Sequence, residues 1–236
     1  MAGMPPGVIW WDFDGTLVNR PLMWSEVALR LLERHAPDSG VTADVMTPMV
    51  FSGMPWHRSD HAHPELTSPD LWWAAVYRRY VEIFSTLGYP GAATPPELDA
   101  LRADILDATA YLVFDDVRPA LTRARAAGWR SLIVSNHVPE LETLVVELGL
   151  APFFESIVSS GVVGYEKPHR HLFEEALRHT GPGRPIWMIG DNPDADCAPV
   201  CAIGHQAVLV RSAVPGAFAR QADDLIGALD LIEAAV

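Results

Sequence analysis

One segment limits the fold of this chain more than any other: the apolar run Val8 to Trp11 followed by Asp12-Phe13-Asp14-Gly15-Thr16. A short run rich in strand formers, ended by an Asp-x-Asp-Gly turn, reads as a strand buried on both faces. Such strands belong to parallel sheets. Open α/β sheets bind ligands in the crevice at the carboxyl ends of their strands, so the two carboxylates stand where chemistry is done. Gly15 lets the backbone turn sharply there, and the Thr16 hydroxyl can orient a ligand. Carboxylates at this spacing suit Mg²⁺, a hard cation that takes a few carboxylate oxygens and keeps its waters. They also suit covalent catalysis, because a carboxylate beside a metal can attack phosphorus.

The chain holds 17 lysines and arginines together, and Lys167 is its single lysine. In a sequence that uses arginine everywhere else, a lone lysine is a hint that a compact ammonium is wanted rather than a planar fork, the other reading being that one lysine survived a compositional bias. It lies in Gly164-Tyr165-Glu166-Lys167-Pro168-His169. Upstream, Leu132-Ile133-Val134 reads as a buried strand ending at Ser135-Asn136, with Leu141, Leu144, Val145 and Leu148 then on one helical face. A hydroxyl at a strand end near a helix N-terminus is a natural phosphate contact, although Ser-Asn is also ordinary turn chemistry. Downstream, the apolar run Ile186 to Ile189 ends in Gly190-Asp191, and Asp196 follows.

Together, in this order, Asp12/Asp14, Ser135, Lys167 and Asp191/Asp196 resemble the motifs of the haloacid dehalogenase (HAD) superfamily of hydrolases. The resemblance covers roughly residues 5–20 and 110–236. It implies Asp12 as nucleophile, Asp14 as general acid and base, and Lys167 as the cation that steadies the phosphoryl group and Asp12. It implies a Mg²⁺ site from Asp12, Asp191 and the main-chain carbonyl of Asp14, with Asp196 orienting Lys167 or a water on the metal. Thr16, Ser135 and Asn136 would contact phosphate. Asp194 is expected to cap the next helix.

The expected fold is α/β: a Rossmann-like doubly wound parallel sheet, residues 1–19 and 111–236, with a small all-helical cap at residues 20–110. Helical patterns run over 24–35, 42–51, 70–87 and 95–109, then 119–127, 139–148, 168–180 and 194–202, with strands at 131–135, 156–159, 186–190 and 206–210. That alternation predicts a parallel sheet. Trp72, Trp73, Tyr77 and Tyr80 read as cap core or cap–core interface. The loop Met54 to Pro64 is the most unusual, and its Trp56, His57 and Arg58 suit stacking and binding of a second anionic group. His57, His61 and His63 do not follow a zinc-site pattern. Cys197 and Cys201 read as buried structural thiols.

A net charge of −13 and a pI near 5.0 argue against a nucleic-acid partner. No apolar stretch reaches membrane-spanning length, and the N-terminus lacks the basic-then-apolar pattern of a leader, so a cytoplasmic location is expected. The resemblance thus implies a Mg²⁺-dependent phosphatase acting on a small phosphorylated metabolite through an aspartyl-phosphate. A phosphomutase remains open. The dehalogenases of the superfamily lack the second Asp of the first motif, so Asp14 speaks against that activity. A phosphonate hydrolase would need a cap lysine, and residues 20–110 contain none. A HAD-like module kept only for binding would not need Asp12, Lys167 and Asp191 together.

Overall fold

The computed structural model describes residues 6–20, 22–54 and 62–235. Six strands form one parallel sheet in the order β5-β4-β1-β6-β7-β8. These are β1 (Val8–Trp11), β4 (Arg130–Ser135), β5 (Ser156–Ser159), β6 (Ile186–Gly190), β7 (Gln206–Val210) and β8 (Gln221–Ala222). The central strand β1 pairs with β4 and β6 in matching register, Trp11 lying opposite Ile133 and Ile189. The strand ends that carry Asp12, Ser135 and Asp191 are therefore neighbours.

Alternation along each strand sends side chains to two cores. Val8, Trp10, Ile186 and Met188 pack with Leu172, Phe173 and Ala176 of α8 (Arg170–Thr180) and Val200 of α9 (Ala198–Ala202). Ile9, Trp11, Trp187 and Ile189 face the other way, onto a cluster that includes residues of α5 (Val117–Ala126), α6 (Leu141–Glu147) and α10 (Leu225–Glu233). Helices on both faces make the sheet doubly wound. The sheet also carries the short edge strand β8, which periodicity alone does not show. A short helix, α7 (Ser160–Val163), directly follows β5.

Between β1 and α5 the described residues form four α-helices: α1 (Met23–His35), α2 (Ala43–Val50), α3 (Pro69–Thr86) and α4 (Pro95–Leu106). Two short strands, β2 (Val18–Asn19) and β3 (Leu112–Val113), pair antiparallel, so the chain leaves and re-enters the sheet region side by side. The rings of Trp24, Trp72 and Trp73 pack together tilted or edge-on, and the Tyr80 hydroxyl donates to the Trp24 carbonyl at 2.8 Å. Trp73 also reaches across to the sheet region: its Nε1 donates to Glu140 Oε1 at 3.0 Å, and Arg102 pairs with the same oxygen at 2.6 Å. No described helix is long and apolar enough to cross a membrane.

Two local expectations need correction. The stretch expected as one helix over 194–202 begins as a π turn, Pro193–Cys197, before α9. Its cap is Asn192, whose Oδ1 accepts from the backbone N–H of Asp194 and Ala195, both at 3.0 Å; Asp194 does not cap. Asn one position earlier already satisfies the orphan donors. Cys197 is buried, but Cys201 is exposed.

Candidate active site

Asp12 is the first residue past β1, and its N–H donates to the Ile189 carbonyl at 2.9 Å. The residue is 5% exposed. Three groups hold it: Ser135 Oγ donates to Oδ1 at 3.1 Å, Lys167 Nζ to the same oxygen at 2.6 Å, and Thr16 Oγ1 to Oδ2 at 3.3 Å. Lys167 donates further to Asp196 Oδ1 at 2.6 Å and the Val134 carbonyl at 3.1 Å, so all three of its N–H bonds are engaged. Burial works against its charge, but Asp12 and Asp196 outweigh that and hold the ammonium protonated well above the usual range.

The turn after Asp12 depends on Gly15. Its φ is +78°, and a Cβ there would lie 2.2 Å from Asp191 Oδ2. Gly190 makes a second close approach, where a Cβ would sit 2.3 Å from Asp196 Oδ2. These glycines let Asp191 and Asp196 crowd against the first strand's turn. The Asn192 N–H donates to Asp196 Oδ2 at 3.0 Å, closing that carboxylate.

Asp12, Asp191 and Asp196 offer carboxylate oxygens all within 4.8 Å of one another, the one such group of potential metal ligands among the described residues. Burial, then the neighbouring carboxylates, raise Asp191 above the ordinary carboxylate range. Asp196 is raised by burial, with Lys167 opposing and Asp12 adding to the shift. One ammonium against three carboxylates leaves an excess of negative charge at a cluster of hard oxygen donors, a set that fits a divalent cation such as Mg²⁺. The Asp14 side chain is not in this group; its expected contribution was through the main-chain carbonyl.

Asp14 has a different environment from Asp12. Its side chain keeps 41% of its surface exposed to the cleft. Its pKa is nonetheless raised to about 7, by burial first and then by the charges of Asp12 and Asp191.

Thr16 and Asn136, expected at the phosphate, are engaged by the protein itself. Thr16 is fully buried against Asp12. The Asn136 amide brackets the lysine's own backbone: Nδ2 donates to the Lys167 carbonyl at 3.0 Å and Oδ1 accepts from the Lys167 N–H at 2.6 Å. Thr16 thus holds Asp12 and Asn136 holds Lys167 in place, and Asn136 also lines the cleft. Arg58, with Trp56, His57 and His61, lies outside the described residues. His63 is tied by its backbone N–H to the Gly164 carbonyl at 2.7 Å.

One residue of the site was not singled out from the sequence. His137, directly after Ser135-Asn136, is 6% exposed and brings Nε2 to 3.4 Å from Asp14 Oδ2. Burial, reinforced by Arg20, depresses its pKa to about 3, so the ring is neutral. A single histidine after a strand gives no periodic signal; its place beside the strand-end serine was the only hint.

Comparison with known proteins agrees with this geometry. The family model of haloacid dehalogenase-like hydrolases matches residues 7–199. The chain is 31% identical to phosphoserine phosphatase from Thermus thermophilus, over 84% of this chain and 86% of that protein. It is 35% identical to glyceraldehyde 3-phosphate phosphatase from Methanothermobacter thermautotrophicus, but over 42% of this chain and only 45% of the relative's length. The fold is similar to magnesium-bound YfnB from Bacillus subtilis, with a TM-score of 0.69 at 18% identity over 97% of this chain and 99% of that one. It is also similar to L-2-haloacid dehalogenase from Xanthobacter autotrophicus, with a TM-score of 0.66 at 18% identity over 99% and 100% of the two chains.

Proposed function

The chain belongs to the haloacid dehalogenase-like hydrolases, and from that premise we propose that it is a Mg²⁺-dependent phosphatase hydrolysing a small phosphate monoester through an aspartyl-phosphate on Asp12. The observation that carries this reading is the unequal treatment of two aspartates in one turn. Asp12 is clamped by Ser135, Thr16 and Lys167, as a nucleophile must be aimed. Asp14 reaches into the cleft with its pKa near 7, as a proton carrier working at neutral pH must be. The phosphatase relatives favour phosphorus over carbon as the atom attacked.

In the first half-reaction a carboxylate oxygen of Asp12 forms a bond to phosphorus. The ester P–O bond breaks, and the leaving oxygen takes the Asp14 proton. In the second, water gives a proton to Asp14 and bonds to phosphorus. The Asp12–phosphorus bond then breaks, and free phosphate and the Asp12 carboxylate are restored. Lys167 and Ser135 lie against Asp12 Oδ1 and would steady the charge that builds on the phosphoryl oxygens. Asp12, Asp191 and the Asp14 carbonyl would hold Mg²⁺, whose charge would offset that of the phosphoryl group and the carboxylates. Asp196 would keep Lys167 in place.

We also propose that the helices α1 to α4 act as a cap over the cleft.

Phosphate release from 4-nitrophenyl phosphate, measured with Mg²⁺ and with chelator, tests the main reading. Activity should need Mg²⁺. Chloride release from 2-chloropropionate without phosphate release would replace the phosphatase with a dehalogenase.

A further inference from the structure

The cleft that holds Asp12, Lys167 and Asp191 explains how any phosphate ester is cut, not which one. Beside it lies a second, smaller space. A cavity of about 40 Å³ is lined by Asp14, Met23, Trp24, Trp72, His137 and Val138, among others. A water-sized group needs roughly 10–15 Å³ on this measure, so the space takes about three such groups. Its walls are aromatic and aliphatic apart from Asp14 and a few uncharged polar groups, and no lysine or arginine lines it among the described residues.

Within this wall His137 is the anomaly. Neither Nδ1 nor Nε2 has a hydrogen-bond partner among the described residues, and both are buried. Nε2 lies 3.4 Å from Asp14 Oδ2, and no hydrogen bond joins them. Leaving a buried polar group unpaired costs about 1–3 kcal/mol, so such an atom calls for a function. The residue is also rigidly built in. Ser160 Oγ accepts from its N–H at 3.2 Å, and its carbonyl accepts from Ser159 Oγ at 2.8 Å and the Gly161 N–H at 3.0 Å. Phe13 packs edge-on against the ring at 5.3 Å, and Tyr111 sits at 6.2 Å. The imidazole is fixed at the cavity wall next to the group proposed to protonate the leaving oxygen.

We propose that His137 determines substrate specificity: in the cavity beside Asp14 it hydrogen-bonds a hydroxyl or carbonyl oxygen carried close to the scissile bond by a short, uncharged carbon chain. This rests on the phosphatase reading and names its substrate class, phosphate monoesters of small polyols or hydroxycarbonyl compounds. Size follows from the cavity. Lack of charge follows from its walls, because an anionic group there would touch Asp14, while Arg20, the cation whose field reaches His137, does not line the cavity. Polarity follows from His137, whose imidazole offers one N–H and one lone pair. The ring takes no part in moving the proton.

A matched pair of substrates tests this without any variant. Glycerol 3-phosphate and n-propyl phosphate share chain length and phosphate, and differ in the hydroxyls. The wild-type protein with Mg²⁺ should favour glycerol 3-phosphate in kcat/KM by about tenfold or more, the value of one well-made buried hydrogen bond. His137→Phe should bring the ratio near one through a much larger loss on glycerol 3-phosphate than on n-propyl phosphate, and His137→Gln should restore part of it. Equal loss on both esters in His137→Phe would mean that His137 acts through Asp14 or the fold, and would overturn the proposal. So would a wild-type ratio near one. Hydrolysis of 4-nitrophenyl phosphate with neither short ester accepted would sink this inference and leave the phosphatase reading standing. No hydrolysis of any of the three would sink the phosphatase reading itself.

Discussion

The two halves of the site are built in opposite ways. On the cleft side, Lys167 bridges Asp12 and Asp196 at 2.6 Å each, every donor of the ammonium is taken, and the carboxylates crowd within 4.8 Å. On the cavity side, Trp24, Trp72, Met23 and Val138 surround an imidazole whose ring nitrogens have no hydrogen-bond partner among the described residues. The saturated half is suited to act on the one group all phosphate esters share. The unsaturated half leaves room and hydrogen-bonding capacity for the part in which they differ. On the proposed reading, catalysis and discrimination are divided between strand ends and the wall beneath the inserted helices.

Variants can break that division. The largest effect is expected from Asp12→Asn, because an amide cannot serve as the nucleophile. Phosphate release should fall by about three orders of magnitude or more, alike for glycerol 3-phosphate and n-propyl phosphate. Near-normal turnover in the purified variant would remove Asp12 from the chemistry.

Lys167→Arg keeps the charge but not the shape. A planar guanidinium cannot direct three donors to Asp12, Asp196 and the Val134 carbonyl as the ammonium does. A kcat loss of about 10²–10³ is expected, again the same for both esters. Unchanged kcat would show that the chain's lone lysine is an accident of composition.

Asp196→Asn removes one of the two carboxylates that hold Lys167. A fall of roughly 10–100-fold is expected, recovered little by raising substrate, because the defect lies in aiming Lys167 and not in binding. A change confined to KM would move Asp196 to the discriminating half.

The smallest effect should come from Glu166, next to the lysine but lining neither region. It is 2% exposed, its Oε2 has no hydrogen-bond partner among the described residues, and burial lifts its pKa from 4.5 to about 7. A carboxyl with a raised folded-state pKa favours folding while protonated. That contribution is full below pH about 4.5 and is lost as pH rises through about 7. Glu166→Gln should therefore melt about 2–4 °C higher than wild type at pH 8.5 and nearly the same at pH 4.5. Scanning calorimetry at the two values checks this. An equal shift at both pH values would mean that titration is not the cause.

The strand ends were legible in the sequence because their signals are local. Val8 to Trp11 and Ile186 to Gly190 announce buried strands by composition, and the residue just past a parallel strand lies at the crevice whatever surrounds it. Asp12, Asp14, Ser135 and Asp191 could be placed for that reason, and Lys167 because the chain's one lysine lies in a segment that resembles the family's Lys-Pro motif. The spacing also carried the helices α1 to α4 to within a few residues. It did not carry the edge strand β8, the β2–β3 pair or the Asn192 cap, whose partners are set by what packs beside them. Nor could it show Trp73 and Arg102 converging on Glu140, or His137 meeting Asp14, Trp24 and Trp72 around one small cavity. Those residues come from segments far apart in the chain, and no periodicity or motif records which distant side chains a folded core will bring within hydrogen-bonding reach. The sequence by itself determined a parallel sheet with a cluster of carboxylates and one ammonium at its strand ends. Only the tertiary structure decided which polar atoms packing would satisfy and that the His137 imidazole would be left open, because satisfaction is a property of neighbours in space.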